Sequence, residues 1–292
     1  MTAGRGWPRW STEVGKVRPV GLLWAVWGVL ALAAYGRPVW TSMRLMVNPV
    51  PAAGTVDAHL RAEATVTGSW AAICCALLAV GLVGFSQLER ASLGLQRTAR
   101  TPLVLGRGVG AGAAYLFILS AAAAMTANAL ASLHVVERVY PGAIEAAHSS
   151  ELTRAFLFGS VAAGLGEEIL LFAVPIALAR RSRWPPAAVL ALVIALRLAI
   201  HTYYGWGSLF VLLWIPAGYA LYRAAGSIWP LIVAHTVYDW IQFSIDAWPA
   251  VKDLLVLVNL STALLGAIVA LVGYNRYWRD RQAGRRLLPT TA

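Results

Sequence analysis

The sequence predicts an all-α polytopic membrane protein with about eight transmembrane helices. Hydrophobic residues make up 59% of the chain and charged residues only 13%, whereas soluble domains average about 25% charged residues. The apolar residues gather in runs close to the ~20 residues that a helix needs to cross a bilayer. Basic residues concentrate in alternate connecting segments, a pattern that orients membrane helices.

The predicted helices follow one another with short polar connections. They are residues 19–35, 69–86, 105–132, 152–179, 186–204, 207–223, 227–245 and 254–274. The sixth and seventh are short and closely spaced, so one of them is expected to tilt or to begin below the interface. We divide the chain into N-terminal membrane helices and loops (1–150), a core that carries the polar groups described below (151–245), and a last helix with a basic tail (246–292).

The formal net charge of +11 comes from residues between the apolar segments. This distribution favours attraction to anionic lipids and argues against a nucleic-acid partner. It predicts an integral protein of a bacterial plasma (inner) membrane with both termini in the cytoplasm. The segment 36–68 is an exception, since Arg37, Arg44 and Arg61 lie on the opposite side.

The first apolar segment has a second interpretation. Basic residues, an apolar stretch and Ala31-Leu32-Ala33 also resemble a secretory signal with a small-residue cleavage site. Cleavage there would leave seven spans and an external N-terminus.

Two adjacent acids, Glu167 and Glu168, interrupt the fourth apolar segment. A charged side chain at the bilayer centre costs roughly 2.5–3.5 kcal/mol on insertion scales. The pair must therefore face a polar pocket, a partner group or a proton, and it is a candidate functional site. Because neighbouring helical residues point about 100° apart, we expect at most one of the two to aim at the centre of a cluster.

Four other ionisable residues lie within the later spans, on neighbouring helices. They are Arg197, His201, His235 and Asp239. Arg197 and His201 are four residues apart and therefore share a helical face. The same holds for His235 and Asp239. At 1.5 Å per residue, Glu167 and His201 both lie about 20 Å from the predicted cytoplasmic side. The sequence therefore predicts one polar cluster inside the membrane.

This set of residues suits hydrolysis by an activated water. A carboxylate can take a proton from water as a general base, and imidazoles can bind the water or stabilise a developing oxyanion. Glu167, His201 and His235 could also hold zinc as a site of two histidines and one carboxylate. A structural interpretation stays open, in which the acids only neutralise Arg197 and the histidines only join helices.

The order of these groups resembles the CPBP family, the CAAX-protease and bacteriocin-processing intramembrane endopeptidases. An acid pair is followed by a histidine on the next helix and by His-x-x-x-Asp further on, over residues 150–245. The resemblance implies a helical membrane protein and a membrane-embedded or lipidated peptide or protein as substrate.

Residue roles follow from the resemblance by motif. Glu167 and Glu168 match the paired glutamates, the first being the expected base, with Glu168 as its neighbour. His201 matches the histidine that helps to hold the water. His235 and Asp239 match the pair expected to stabilise the oxyanion. The resemblance thus implies that Glu167 lies opposite His201 and His235.

The chain departs from the family pattern in the position of one positive charge and in one hydrogen-bond donor. The family has Arg at position 172 and an aromatic residue at position 197, whereas this chain has Phe172 and Arg197. We expect Arg197 to supply the missing positive charge from the neighbouring helix. The family usually has Asn where this chain has Asp239, and an ionised Asp cannot donate a hydrogen bond. Asp239 would have to be protonated, orient His235 or bind metal.

Three functions remain open from the sequence. The favoured one is an intramembrane endopeptidase of glutamic or metal-dependent type. A catalytically inactive relative that acts as a membrane scaffold or regulator is the first alternative, and the departures at Phe172 and Arg197 favour it. A proton-coupled transporter is the second, because intramembrane acids and histidines also form proton relays.

Overall fold

The computed structural model is helical apart from short turns in the residues that it describes. These residues are 20–47, 58–85, 102–132, 150–202, 208–225, 227–247 and the single positions 253, 254, 257, 258, 260, 261, 264, 268 and 272. No strand occurs in this part of the chain, so the predicted all-α class is confirmed for it. Helices suit an apolar chain because each backbone N–H and C=O bonds within its own segment.

The helices are named in chain order. They are α1 (Val20–Val47), α2 (Ala58–Phe85), α3 (Pro102–Ser132), α4 (Ser150–Ala162), α5 (Val174–Arg181), α6 (Pro186–His201), α7 (Val211–Ala225) and α8 (Trp229–Ala247). Two π-helical turns, Ala163–Glu167 and Ile169–Ala173, join α4 to α5. Since no loop separates α4 from α5, these elements form one continuous helix.

Seven of the eight predicted segments coincide with helices, and their ends differ by several residues. Helices α1 and α2 are longer than the apolar runs that predicted them, because polar residues can continue a helix beyond the hydrocarbon core. The eighth predicted segment lies outside the continuously described ranges. Its described single positions are helical.

Two described helices are long and apolar enough to cross a membrane by length and composition. They are Val20–Trp40 and Leu157–Arg181. Shorter apolar helices are Val66–Gly81, Gly108–Ala123, Pro186–His201 and Ser208–Arg223. The eight-span topology stays a prediction.

The helix that carries the acid pair lies inside the bundle. Helix α4 packs between α2 and α8, and the first π-helical turn contacts the same two helices. Helix α3 packs against α7 and α8, while α1 packs against α2 and α6. The carboxylates are therefore surrounded by helices from both halves of the chain.

A tight turn returns the chain from α5 to α6. The Ser182 N–H donates to the Leu178 carbonyl and the Trp184 N–H donates to the Ala179 carbonyl, both at 2.9 Å. From α1, the indole of Trp24 donates to Ser182 Oγ at 3.0 Å and stacks on the Trp184 ring. This turn brings α6 alongside α5.

Two glycines allow close packing around the acid pair. A Cβ at Gly164 would collide with the Thr236 hydroxyl and lie 2.7 Å from the Ile232 carbonyl oxygen of α8. A Cβ at Gly166 would collide with the Tyr35 hydroxyl of α1. Small residues thus let α8 and α1 approach the glutamates, as they do at other membrane helix contacts.

We predict that Gly164→Ala destabilises the protein by about 1–3 kcal/mol, the usual cost of adding a methyl group to a packed core. The backbone of Ile232 cannot move aside without shifting α8. Thermal unfolding in detergent micelles measures the effect. Gly28→Ala is the matched control, because a Cβ at Gly28 meets nothing within 4 Å. Equal melting temperatures for the two variants would contradict the close approach.

Candidate active site

The acid pair lies where the helix widens. Glu167 ends the first π-helical turn, and Glu168 separates the two turns. Such turns occur often at functional sites. They also change the hydrogen-bonding of nearby carbonyl groups, and the indole of Trp27 donates to the Leu170 carbonyl at 2.7 Å. Helix α1 therefore supports the widened segment directly.

Arg197 lies at the centre of the site. Its Nη2 donates to Glu168 Oε1 at 2.6 Å, and its Nη1 contacts Glu167 Oε2. The side chains of Arg197 and Glu168 are fully buried. One guanidinium thus bridges both carboxylates, as its forked geometry allows.

The expectation that only one acid would aim at the cluster is wrong, since Glu167 and Glu168 both contact Arg197. Two physical reasons account for this. A π-helical turn holds more residues than an α-helical turn, which narrows the angle between neighbouring side chains. The guanidinium also presents several donors, so it reaches two directions at once.

Phe172 is buried within the apolar core. Its ring packs edge-on against Tyr222 at a centroid distance of 5.9 Å. The position that carries Arg in the family pattern therefore holds an apolar contact here. Arg197 supplies the positive charge beside the acids from the neighbouring helix.

His235 from α8 binds the buried acid rather than the outer one. Its Nδ1 lies 2.8 Å from Glu168 Oε1, and its Nε2 faces Asp239 Oδ2 at 3.7 Å. The expectation of Glu167 opposite His235 is therefore wrong in its details, because Glu168 points inward toward α8. Glu167 keeps 13% of its side chain exposed.

His201 lies one helical turn after Arg197 on α6. Its Nδ1 is 2.8 Å from the Arg197 carbonyl oxygen, so this nitrogen carries the proton and donates. Its buried ring packs edge-on against Phe210 and Trp214. In the neutral ring Nε2 is then the acceptor nitrogen.

Two residues of the site were not predicted from the sequence. The Tyr115 hydroxyl from α3 donates to Glu168 Oε1 at 3.1 Å and accepts a hydrogen bond from the Trp214 indole. The Trp214 ring lies 5.1 Å from the Arg197 guanidinium, within cation–π range. Buried Tyr and Trp need polar partners, but 10 tyrosines and 13 tryptophans gave no means of choosing these two.

A third unpredicted residue, Tyr35 of α1, lies against Gly166. Its hydroxyl is buried and has no hydrogen-bond partner among the described residues. Glu168 Oε2 and Arg197 Nε are in the same condition. Three buried polar atoms at the site thus lack a hydrogen-bond partner among the described residues.

The suggested zinc ligands do not form a metal site as they are placed. Among the described residues, no group of three His, Cys, Asp or Glu side chains is positioned to hold a metal ion. The Glu167 oxygen that faces the cluster contacts Arg197 instead, and His201 Nδ1 is bonded to a backbone carbonyl. Zinc binding at these residues stays a prediction.

Comparison with known proteins gives a match for the segment that contains the predicted site residues Glu167, Glu168, Arg197, His201, His235 and Asp239. Residues 149–241 match the family model described as type II CAAX prenyl endopeptidase Rce1-like. This segment is therefore similar to the CAAX prenyl endopeptidase family. The resemblance to the CPBP family is thereby confirmed. No curated protein and no solved structure matches the chain. Tyr35 and Tyr115 lie outside the matched residues.

We predict that Arg197→Met destabilises the protein by about 3–5 kcal/mol, because it leaves the buried carboxylate of Glu168 and the partly exposed carboxylate of Glu167 without this cation. Arg223→Met is the matched control. Arg223 is exposed and also lies over an aromatic ring, that of Tyr219, so its replacement should change stability by no more than about 0.5 kcal/mol. Unfolding in detergent micelles compares the two. Similar losses for both variants would show that the bridge is not the stabilising element.

Proposed function

We propose that the protein is an intramembrane endopeptidase that hydrolyses a peptide bond of a membrane-associated, prenylated or otherwise lipidated protein. One observation carries this proposal. The buried cluster of Glu167, Glu168, Arg197 and His235 lies inside the segment that matches a prenyl endopeptidase family. Buried charges inside apolar helices are retained where they serve a function.

Glu167 is the proposed general base. One of its carboxylate oxygens contacts Arg197, and the side chain is partly exposed, so the second oxygen can accept a proton from water. Glu168 has no exposed surface, which suits an anchor for Arg197 and His235 rather than a group that meets water. The two adjacent acids thus take different roles.

His201 is the proposed holder of the water. Since its Nδ1 donates to the Arg197 carbonyl oxygen, the neutral ring offers Nε2 as an acceptor for a water hydrogen. His201 and Glu167 together would orient a lone pair of the water oxygen toward the scissile carbonyl carbon. Orientation of this kind supplies a large share of enzymatic rate enhancement.

Asp239 is proposed to orient His235. The carboxylate faces His235 Nε2 while Glu168 binds Nδ1, so the ring is fixed from both sides. An ionised Asp239 accepts and cannot donate. In this chain the pair therefore contributes to the oxyanion site by fixing a ring, and a separate donor is required.

The proposal also covers the architecture of the protein and its location in the cell. We propose residues 151–245 as the catalytic core, eight spans, both termini in the cytoplasm, and the plasma (inner) membrane of a bacterium as the location. Trp24 bonds to Ser182 in the turn after α5, and Trp27 bonds to Leu170 in the second π-helical turn. These contacts favour retention of α1 over its cleavage as a signal. Basic loops would bind anionic lipids.

One observation favours the inactive scaffold as an alternative. The contact between Arg197 and Glu167 occupies a carboxylate oxygen of the proposed base. If this ion pair never opens to water, the cluster only joins helices.

We predict that Glu167→Gln lowers the turnover number for a farnesylated CAAX peptide by about 10²–10⁴-fold, since an amide cannot act as a general base. The peptide carries a fluorophore and quencher, and the protein is reconstituted in liposomes. Asp253→Asn is the control, because Asp253 is an exposed carboxylate outside the cluster, and it should cleave like wild type.

Two outcomes would count against this function. Cleavage by wild type that Glu167→Gln retains would remove Glu167 from the chemistry. Absence of cleavage by wild type would favour the scaffold, unless a proton gradient drives solute uptake into the same liposomes. Uptake would favour the transporter.

A further inference from the structure

Tyr35 has an unusual position for a buried tyrosine. The residue is 9% exposed, and its hydroxyl has no hydrogen-bond partner among the described residues. Leaving a buried hydroxyl unbonded costs about 1–3 kcal/mol, so such a group requires an explanation. One explanation is a partner that binds this hydroxyl only during function.

The hydroxyl is directed at the acid pair. It contacts the backbone at Gly166, the residue before Glu167, so closely that a Cβ there would collide with it. The charges of Glu167, Arg197 and Glu168 all act on it. The donor therefore lies beside the helical segment that carries the proposed base.

Most other side chains of the cluster already have partners. Arg197 Nε is an exception, but the Arg197 side chain has no exposed surface. The Nδ1 of His201 donates to a backbone carbonyl and that of His235 donates to Glu168. A second proton on His235 would face Asp239. The Tyr115 hydroxyl donates to Glu168 and accepts from Trp214. Peptide hydrolysis nevertheless requires a donor for the developing oxyanion.

We propose that the Tyr35 hydroxyl donates a hydrogen bond to the oxygen of the scissile carbonyl and to the oxyanion that forms from it. This inference rests on the proposed function and names a catalytic residue outside the matched segment 149–241. The hydroxyl takes the place that the side-chain amide of Asn would fill at position 239.

Peptide hydrolysis in this arrangement proceeds without loss of the Tyr35 proton. Water forms a C–O bond to the carbonyl carbon as Glu167 takes its proton, and the carbonyl oxygen becomes an oxyanion held by Tyr35. When the carbonyl re-forms, the C–N bond breaks and the proton on Glu167 passes to the leaving amine. Tyr35 donates a hydrogen bond throughout and remains neutral.

Tyr35→Phe tests this role with the same farnesylated CAAX peptide in liposomes. We expect a turnover number about 10²–10³-fold lower, the usual loss on removing one oxyanion donor, with KM little changed. The melting temperature in detergent should stay the same or rise, because no hydrogen bond of the resting protein is lost. A purely structural role predicts the opposite pair of changes.

Two further tyrosine variants serve as controls. Tyr115→Phe removes a hydroxyl that is bonded on both sides, so its melting temperature should fall together with activity. Tyr222→Phe changes a buried tyrosine that packs against Phe172 outside the cluster, and its turnover number should match wild type. The contrast separates a donor used in catalysis from one used in folding.

The outcomes distinguish this inference from the proposed function. If wild type cleaves and Glu167→Gln does not, a Tyr35→Phe variant with full turnover overturns the role of Tyr35 alone. A fall in melting temperature equal to that of Tyr115→Phe also overturns it. If wild type does not cleave the peptide, the proposed function is contradicted and the role of Tyr35 falls with it.

Discussion

A single guanidinium between one buried and one partly exposed carboxylate is the constraint on which this structure depends. Arg197 contacts both Glu167 and Glu168 while fully buried itself. Removing charges from water costs several kcal/mol per ion even after relaxation, and only good geometry with additional hydrogen bonds offsets the cost. The surroundings of the acid pair therefore have to supply donors.

The neighbouring helices supply those hydrogen-bond donors, each from its own residue. Helix α8 contributes His235 and α3 contributes Tyr115, and both bind the same oxygen of Glu168 as Arg197 does. The Trp214 ring from α7 covers the guanidinium. Small residues at Gly164 and Gly166 let α8 and α1 come close enough. Side chains from α3, α6 and α8 thus bind one oxygen of the inner carboxylate, whereas the outer carboxylate of Glu167 contacts Arg197 and stays partly exposed.

The sequence predicted the charged part of the site better than its neutral part. An acid pair in an apolar run requires a cation, and the exchange of residue types at positions 172 and 197 pointed to Arg197. Tyr115, Trp214 and Tyr35 could not be found this way. Their polar atoms are attached to large apolar rings, so their presence in an apolar helix raises no energetic conflict.

The division of roles between the acids was also hidden from the sequence. An α-helical projection separates neighbouring residues by a fixed angle, and apolar patterning does not reveal a π-helical turn. Those turns direct both carboxylates toward Arg197 and leave only Glu168 fully enclosed. The fold class depends on composition and run length, which are averaged over many residues. The fine geometry depends on one local change in helix type.

The separation of Arg197 from Glu168 along the chain, 29 residues, has a consequence for biosynthesis. When the acid pair leaves the ribosome, Arg197 is still inside the exit tunnel, whereas Tyr115 has already emerged. The acids would then enter the lipid with only a neutral donor available. We therefore expect the helix that carries the acid pair to wait at the translocon until α6 follows and to enter the bilayer with it as a hairpin, so that Arg197 crosses the interface together with the two acids.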